Sequence, residues 1–231
     1  MSDKTVKAVL WDFGGVLSSS PFEAFNRFEQ AHGLPKHFIR TVNTNNPNAN
    51  AWALLERNDI TTDEFSDMFE AESAALGHAI AGRKILALLD GDIRPQMVTA
   101  LTSIASRYKT ACLTNNVRRG HGPGMSRNTE KAAQVAKIMA LFDFVIESSK
   151  VGVRKPEPKL YAMACEQLDI EPAEAVYLDD LGINLKPARA MGMQTIKVGD
   201  PDTALAQLEG MLGHPLQVSN AAGVESEHRQ T

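Results

Sequence analysis

The sequence contains little cysteine and no long apolar run, and each of these shortages excludes a class of protein. Its two cysteines, Cys112 and Cys165, do not form a C-x-x-C pattern, so neither a zinc site nor a disulfide framework is expected. No apolar stretch approaches the roughly 18 residues that span a membrane. The first residues, MSDKTVK, lack the apolar segment of a secretory signal. We therefore expect a cytoplasmic protein without a membrane partner.

An excess of basic charge is also missing. The 231 residues carry a formal net charge of −4, which does not favour a nucleic acid as the partner. Apolar residues make up 43% and charged residues 23% of the chain, as is ordinary for a globular protein. The length suits one large domain, or a core domain that carries a smaller insertion.

Five short segments rich in Val, Ile and Leu are predicted to be buried parallel strands. Helical patterns lie between them, including one that starts at Pro95 and one that ends at Gly192. This alternation predicts an α/β fold with a doubly wound parallel sheet. The predicted strands span residues 5–11, 109–114, 142–148, 174–179 and 194–199.

The region between the first two predicted strands has no strong strand pattern and is predicted to be helical. Ser20 stands at an expected N-cap, directly before Pro21. Thr61 and Glu64 have the spacing of a capping box. The chain is therefore predicted to comprise an α/β core of residues 1–17 and 95–213, a helical cap of residues 18–94 and a disordered tail of residues 214–231.

Polar side chains follow the predicted strands at the edge where open α/β sheets bind ligands. Taken singly, each has an ordinary explanation as turn chemistry or a solvated surface charge. Together, three carboxylates and a lysine at one edge would be costly without a ligand. These residues are Asp12, then Thr114, Asn115 and Asn116, then Lys155, and finally Asp179 and Asp180.

A divalent cation and a phosphate would explain this combination. Mg²⁺ binds carboxylate oxygens and relieves the repulsion that would otherwise raise the pKa of one aspartate. An ionised Asp12 can then attack phosphorus and form an aspartyl-phosphate. Lys155 and the metal would neutralise the phosphoryl charge, and the Thr114 hydroxyl would hold its oxygens. Gly14 and Gly15 would let the backbone approach the phosphate.

Four segments, in chain order, resemble the motifs of the haloacid dehalogenase superfamily: WDFGGVL, CLTNN, FDFVIESSKVGVRKPEPKLY and YLDDLGINLKPARAMGM. Over roughly residues 5–200 the resemblance is closest to the N-terminal phosphatase domain of soluble epoxide hydrolases. It implies a Rossmann-like core, a small helical cap that closes over the site and a small phosphorylated substrate. The oligomeric state is left open, with a dimer as one option.

The resemblance also implies a role for each residue of the motifs. Asp12 is the nucleophile, Thr114 the phosphate-binding hydroxyl and Lys155 the lysine that faces the phosphate. The metal is Mg²⁺, held by the Asp12 carboxylate. The remaining assignments are the Gly14 carbonyl and Asp180 for the metal, with Asp179 beside it, and Gly15, Asn115 and Asn116 for the substrate.

Gly14 departs from the family pattern, because most phosphatases of the superfamily carry an acid–base aspartate at that position. Three hypotheses follow. The first is a phosphatase that obtains the proton from water, a substrate hydroxyl or a cap residue, or whose leaving group needs no proton. The second is a metal-independent dehalogenase, whose halide leaving group needs no proton. The third is a catalytically weak member that binds a phosphorylated ligand or a protein partner.

Two further polar residues are not assigned to the site. If the backbone around it is extended, Arg154 points away from its neighbour Lys155. His121 lies in a loop rich in glycine and proline and is expected to be exposed to solvent.

Overall fold

A single five-stranded parallel sheet forms the centre of the protein in this computed structural model, which describes residues 5–118 and 129–216. The strand order is β3-β2-β1-β4-β5. Each predicted strand contains an observed one, so the predicted α/β fold class is confirmed. The strands are β1 (Ala8–Trp11), β2 (Lys109–Thr114), β3 (Phe144–Glu147), β4 (Ala175–Asp179) and β5 (Gln194–Lys197).

Eleven α-helices are found among the described residues. The first five lie between β1 and β2: α1 (Pro21–Ala31), α2 (Phe38–Thr44), α3 (Ala51–Arg57), α4 (Thr62–Ala75) and α5 (Gly82–Leu86). The others are α6 (Pro95–Ala105), α7 (Thr129–Met139), α8 (Ser148–Val151), α9 (Pro158–Leu168), α10 (Gly182–Ala190) and α11 (Pro201–Leu212).

The alternation of side chains along the strands builds two core layers. In β1, Val9 and Trp11 face the cluster that includes residues of α6, α7 and α11. Ala8 and Leu10 face the opposite cluster, which includes residues of α9 and α10. The sheet therefore has helices on both faces, as a doubly wound fold requires. The sequence prediction does not include α7 and α11, because each buries a stripe of only two or three side chains.

The five helices between β1 and α6 enclose a third apolar cluster, which includes Phe25, Phe65 and Phe69. The capping box of Thr61 and Glu64 is present at the start of α4. Ser20 does precede α1, but its hydroxyl makes no capping bond. The boundaries between core and cap at residues 17 and 94, and between core and tail at residue 213, stay a prediction.

Two connections join this helical region to the sheet, and they run side by side. The Ser19 N–H donates to the carbonyl of Asp92 at 2.7 Å, and the Arg94 N–H donates to that of Leu17 at 2.9 Å. Within the described part of the chain, no helix has the length and apolarity needed to cross a membrane. His121 and residues 217–231 of the predicted tail lie outside the described residues.

Candidate active site

The carboxyl ends of three adjacent strands bring together Asp12, Thr114 and Asp179. Trp11 pairs with Leu178 in the register of β1 and β4, which places Asp12 beside Asp179. All three side chains are buried, and that of Asp179 has no exposed surface. The predicted convergence at this edge thus follows directly from the parallel sheet.

Lys155 joins these carboxylates from the segment after α8. Its ammonium lies 2.7 Å from Asp12 Oδ1 and 2.9 Å from Asp179 Oδ2. Burial lowers the pKa of Lys155, but the charges of Asp12 and Asp179 outweigh burial and raise it above its usual value. The lysine therefore remains charged and cannot serve as a proton donor near neutral pH.

The side chain of Asn115 holds the backbone of Lys155 in place. Its Oδ1 accepts from the Lys155 N–H at 2.8 Å, and its Nδ2 donates to the Lys155 carbonyl at 3.0 Å. The same Nδ2 donates to Glu56 Oε2 at 3.1 Å. Asn115, which the resemblance assigns to the substrate, thus positions the lysine and also lines the cavity described below.

Asp179 uses both carboxylate oxygens for bonds within the protein. Oδ1 accepts from the Leu181 N–H at 2.8 Å, and Asn184 Nδ2 lies 3.1 Å from each oxygen. The Tyr177 hydroxyl donates to Oδ2, which Lys155 also contacts. Direct metal ligation by Asp179 would displace these donors, so its arrangement favours orienting Lys155.

Three carboxylates with one lysine leave an excess of negative charge. Oxygens of Asp12, Asp179 and Asp180 all lie within 4.8 Å of one another and could hold a metal ion. Burial raises the pKa of Asp12, with the charges of Asp179 and Asp180 adding to it and that of Lys155 opposing it. Burial, with the charge of Asp179, raises the pKa of Asp180 to about 6. A hard cation fits this donor set, because it would stabilise the ionised carboxylates.

Gly15 lies directly against Asp180 in a left-handed backbone conformation, with φ of 80°. A Cβ atom there would fall 2.2 Å from Asp180 Oδ2. We therefore expect Gly15→Ala to displace the Asp180 carboxylate and to weaken Mg²⁺ binding at least tenfold, roughly the scale of a disturbed ligand environment. Titration calorimetry with Mg²⁺ measures this. The matched control is Gly213→Ala, since Gly213 also has a left-handed φ of 75° and an added Cβ there meets no described atom within 4 Å. Equal Mg²⁺ affinity in the two variants would contradict the assignment.

A cavity of about 300 Å³ opens above Asp12 and Thr114. Its wall is largely apolar and includes Phe22, Phe25 and Trp52 from the helical region. Trp52 also packs against Phe65 within that region, at 5.0 Å between ring centroids. The cavity thus lies between the sheet edge and the predicted cap.

Arg154 lines this cavity together with Lys155, so the prediction that leaves Arg154 out of the site is wrong. The backbone is not extended there, because it turns at Lys155 and Pro156, and the Glu157 N–H donates to the Arg154 carbonyl at 2.8 Å. Arg154 Nε and Nη2 each lie 2.6 Å from Glu56 Oε2.

Of the other predicted site residues, some line the cavity and some lie in the protein interior. Gly14 and Asp180 line the cavity, whereas Gly15 and Asn116 do not. Asn116 donates from Nδ2 to Glu147 Oε2 at 2.6 Å and accepts from the Ser149 hydroxyl at 2.8 Å.

Three polar residues of the site were not predicted from the sequence. Tyr177 could have been found, since it lies two residues before Asp179 on one strand and so shares its face. Ser20, whose hydroxyl donates to Asp180 Oδ2 at 2.8 Å, and Glu56 carry no such signal. Both belong to the helical region. The periodic pattern of apolar residues in the sequence does not specify how that region packs on the sheet.

Comparison with known proteins gives one family and several relatives. The sequence profile of the haloacid dehalogenase-like hydrolases matches residues 6–192. Mouse acyl-CoA dehydrogenase family member 10 is 31% identical over 221 residues, which is 93% of this chain and 20% of the relative. Pig bifunctional epoxide hydrolase 2 is 33% identical over 220 residues, which is 90% of this chain and 39% of the relative. The chain thus spans well under half of these two proteins.

A relative of similar length and a solved structure complete the comparison. Sesquiterpene phosphatase astK of Aspergillus oryzae is 24% identical over 90% of this chain and 98% of its own. A haloacid dehalogenase family enzyme of Bacteroides thetaiotaomicron, solved with magnesium and inorganic phosphate, has a TM-score of 0.55 and 20% identity. The match covers 84% of this chain and 96% of that one, and at this identity it supports the fold alone.

Proposed function

This chain belongs to the haloacid dehalogenase-like hydrolases, and from that premise we propose that it is a Mg²⁺-dependent phosphatase acting on a small phosphorylated metabolite. The observation that carries the proposal is the base of the cavity. There a buried aspartate at a strand end, Asp12, contacts a buried lysine and lies among two further carboxylates. Such a site combines a nucleophile with positive charge for a phosphoryl group.

The nucleophilic step is assigned to the Asp12 carboxylate. Its Oδ1 accepts from Lys155 and, at 2.6 Å, from the Phe13 N–H. Oδ2 accepts no hydrogen bond from any described residue, and we assign the attack on phosphorus to it. The P–O bond that forms gives an aspartyl-phosphate, and the bond to the leaving oxygen breaks. Lys155 neutralises charge on the phosphoryl oxygens, and Thr114 offers its hydroxyl to them.

The proposed ligands of Mg²⁺ are the carboxylates of Asp12 and Asp180 and the Gly14 carbonyl, with Asp179 behind them. When bound, the cation supplies positive charge that stabilises the transferring phosphoryl group. Asp179 acts on this site through Lys155, which it holds against Asp12.

The apolar wall of the cavity suggests that the substrate carries an apolar organic group. Phe22, Phe25 and Trp52 surround the space above Asp12, and burying such surface against them would contribute to binding. The Aspergillus relative is named a sesquiterpene phosphatase, and this name agrees with an apolar phosphate ester as the substrate.

A panel of phosphorylated metabolites, assayed with and without Mg²⁺, tests this function. The proposal expects Mg²⁺-dependent phosphate release, with apolar esters turned over more efficiently than sugar phosphates. Metal-independent halide release from 2-haloacids would instead support a dehalogenase. Phosphate binding without any turnover would support the phospholigand-binding hypothesis, which the bare Gly14 position favours.

A further inference from the structure

The proposed reaction needs a proton donor that Gly14 cannot supply. A poor leaving oxygen requires a proton as its bond to phosphorus breaks, and the water that later attacks must lose one. Among the described residues that line the cavity, the carboxylates are Asp12, Asp180 and Glu56. Asp12 and Asp180 already have roles as nucleophile and metal ligand, which leaves Glu56.

Glu56 lies in the last turn of α3 and contacts the segment that follows β2. Asn115 bridges it to that segment, with Nδ2 3.1 Å from Glu56 Oε2 and 3.0 Å from the Lys155 carbonyl. Asn115 directly follows Thr114, the proposed phosphate-binding hydroxyl. Glu56 therefore reaches the cavity from the helical region and lines it together with Asp12 and Thr114.

The hydrogen bonds of Glu56 leave one of its oxygens available. Oε2 accepts from Arg154 Nε and Nη2 at 2.6 Å each and from Asn115. Within the described parts of the chain, Oε1 accepts no hydrogen bond. This arrangement fixes the carboxyl group and leaves Oε1 to exchange a proton with a ligand.

Burial shifts the pKa of Glu56 in the direction that this role requires. The side chain is 10% exposed, and burial raises its pKa, while the charges of Arg154, Lys155 and Arg57 oppose that rise. An acid that donates and then accepts a proton works best when its pKa moves towards the working pH.

We propose that Glu56, from the cap, is the general acid and base of this phosphatase in place of the residue that Gly14 lacks. This inference rests on the proposed function. As Asp12 attacks, the P–O bond to the leaving group breaks, its electron pair passes to the leaving oxygen, and that oxygen takes the proton of Glu56. Water then attacks phosphorus and gives one proton to Glu56, while the bond between phosphorus and the Asp12 oxygen breaks and its electron pair returns to that oxygen. Phosphate leaves, Asp12 is again a carboxylate and Glu56 is again protonated.

The test is the dependence of Glu56→Gln on the leaving group. With a poor leaving group, such as an alkyl phosphate, kcat/KM is expected to fall about 10²–10⁴-fold, the usual contribution of general acid–base catalysis. With 4-nitrophenyl phosphate, whose leaving group needs no proton, the fall is expected to stay below about tenfold.

Gly14→Asp in the Glu56→Gln background provides a rescue experiment. Among residues 5–118 and 129–216, the only atom within 4 Å of a Cβ added at Gly14, outside its own chain neighbours, is Pro21 Cδ at 4.0 Å, so the Cβ of an aspartate meets no clash there. It is expected to restore alkyl phosphate turnover at least tenfold, a fraction of that same catalytic contribution, and to change 4-nitrophenyl phosphate turnover less.

Glu72→Gln is the matched control for a structural effect of the cap. Glu72 accepts from the Ala51 N–H at 2.8 Å at the start of α3 and does not line the cavity. Its loss is expected to affect both substrates equally. An equal loss on both substrates in Glu56→Gln would overturn the inference while leaving the phosphatase intact. Absence of Mg²⁺-dependent turnover in the native chain would instead overturn the proposed function itself.

Discussion

Replacing Asp12 by asparagine is expected to reduce Mg²⁺-dependent phosphate release at least about 10³-fold in kcat, because the site then has no nucleophile for phosphorus. An amide oxygen can still accept from the Phe13 N–H and Lys155, which contact Oδ1 in the native protein. Lys155 also keeps its contact with Asp179. The variant should therefore fold, and the loss should appear in turnover on every phosphate ester.

Asp143→Asn is the control for loss of a carboxylate elsewhere. Asp143 accepts from the Thr110 N–H at 2.7 Å near the start of β2, at the other end of the strand from Thr114. The Asp143→Asn variant should therefore have close to native activity. Measuring phosphate release and phosphate binding together separates the hypotheses. A variant of Asp12 that retains more than a tenth of native turnover would exclude an aspartyl-phosphate on this residue.

The strand half of the site was predictable because a parallel sheet constrains it. A buried parallel strand is a short continuous apolar run, and the residue after the run lies at the ligand-binding edge. Asp12, Thr114 and Asp179 each follow from that rule and from the register of their neighbours. Lys155 was predicted at the same edge as a residue that follows a strand, but the structure places it in a turn after α8 rather than at the end of a strand.

The half of the site that the helical region contributes was not predictable, for a physical reason. The helical pattern of α3 shows which side chains face the apolar cluster of that region, but not which sheet residue the helix meets. Glu56 and Arg154 are 98 residues apart in sequence, and their contact depends on how the helical region packs on the sheet. Arg154 was left out of the site because the prediction assumed extended backbone where the chain turns.

Lys155→Met is expected to be the most destabilising single change in the site. The Lys155 side chain is 2% exposed, and its ammonium lies within 2.9 Å of oxygens of both Asp12 and Asp179. Methionine has a similar length but leaves these carboxylates without their cation. Removing one partner of a buried ion pair costs about 3–5 kcal/mol, and chemical denaturation should show a loss of that size in the free energy of unfolding at pH 7.

The pH dependence of this loss identifies its cause. Lys155 lowers the pKa of Asp12 against the larger effect of burial, so its removal raises that pKa further above the unfolded value. The folded variant then binds more protons than the unfolded chain, and its stability falls as pH rises through the folded pKa of Asp12. The difference from the native protein should therefore be smaller at pH 5 than at pH 8. Lys7→Met, which removes an exposed lysine 2.7 Å from Glu174, should change stability little. A Lys155→Met penalty that is the same at both pH values would mean that lost packing of the side chain, rather than uncompensated carboxylate charge, destabilises the variant.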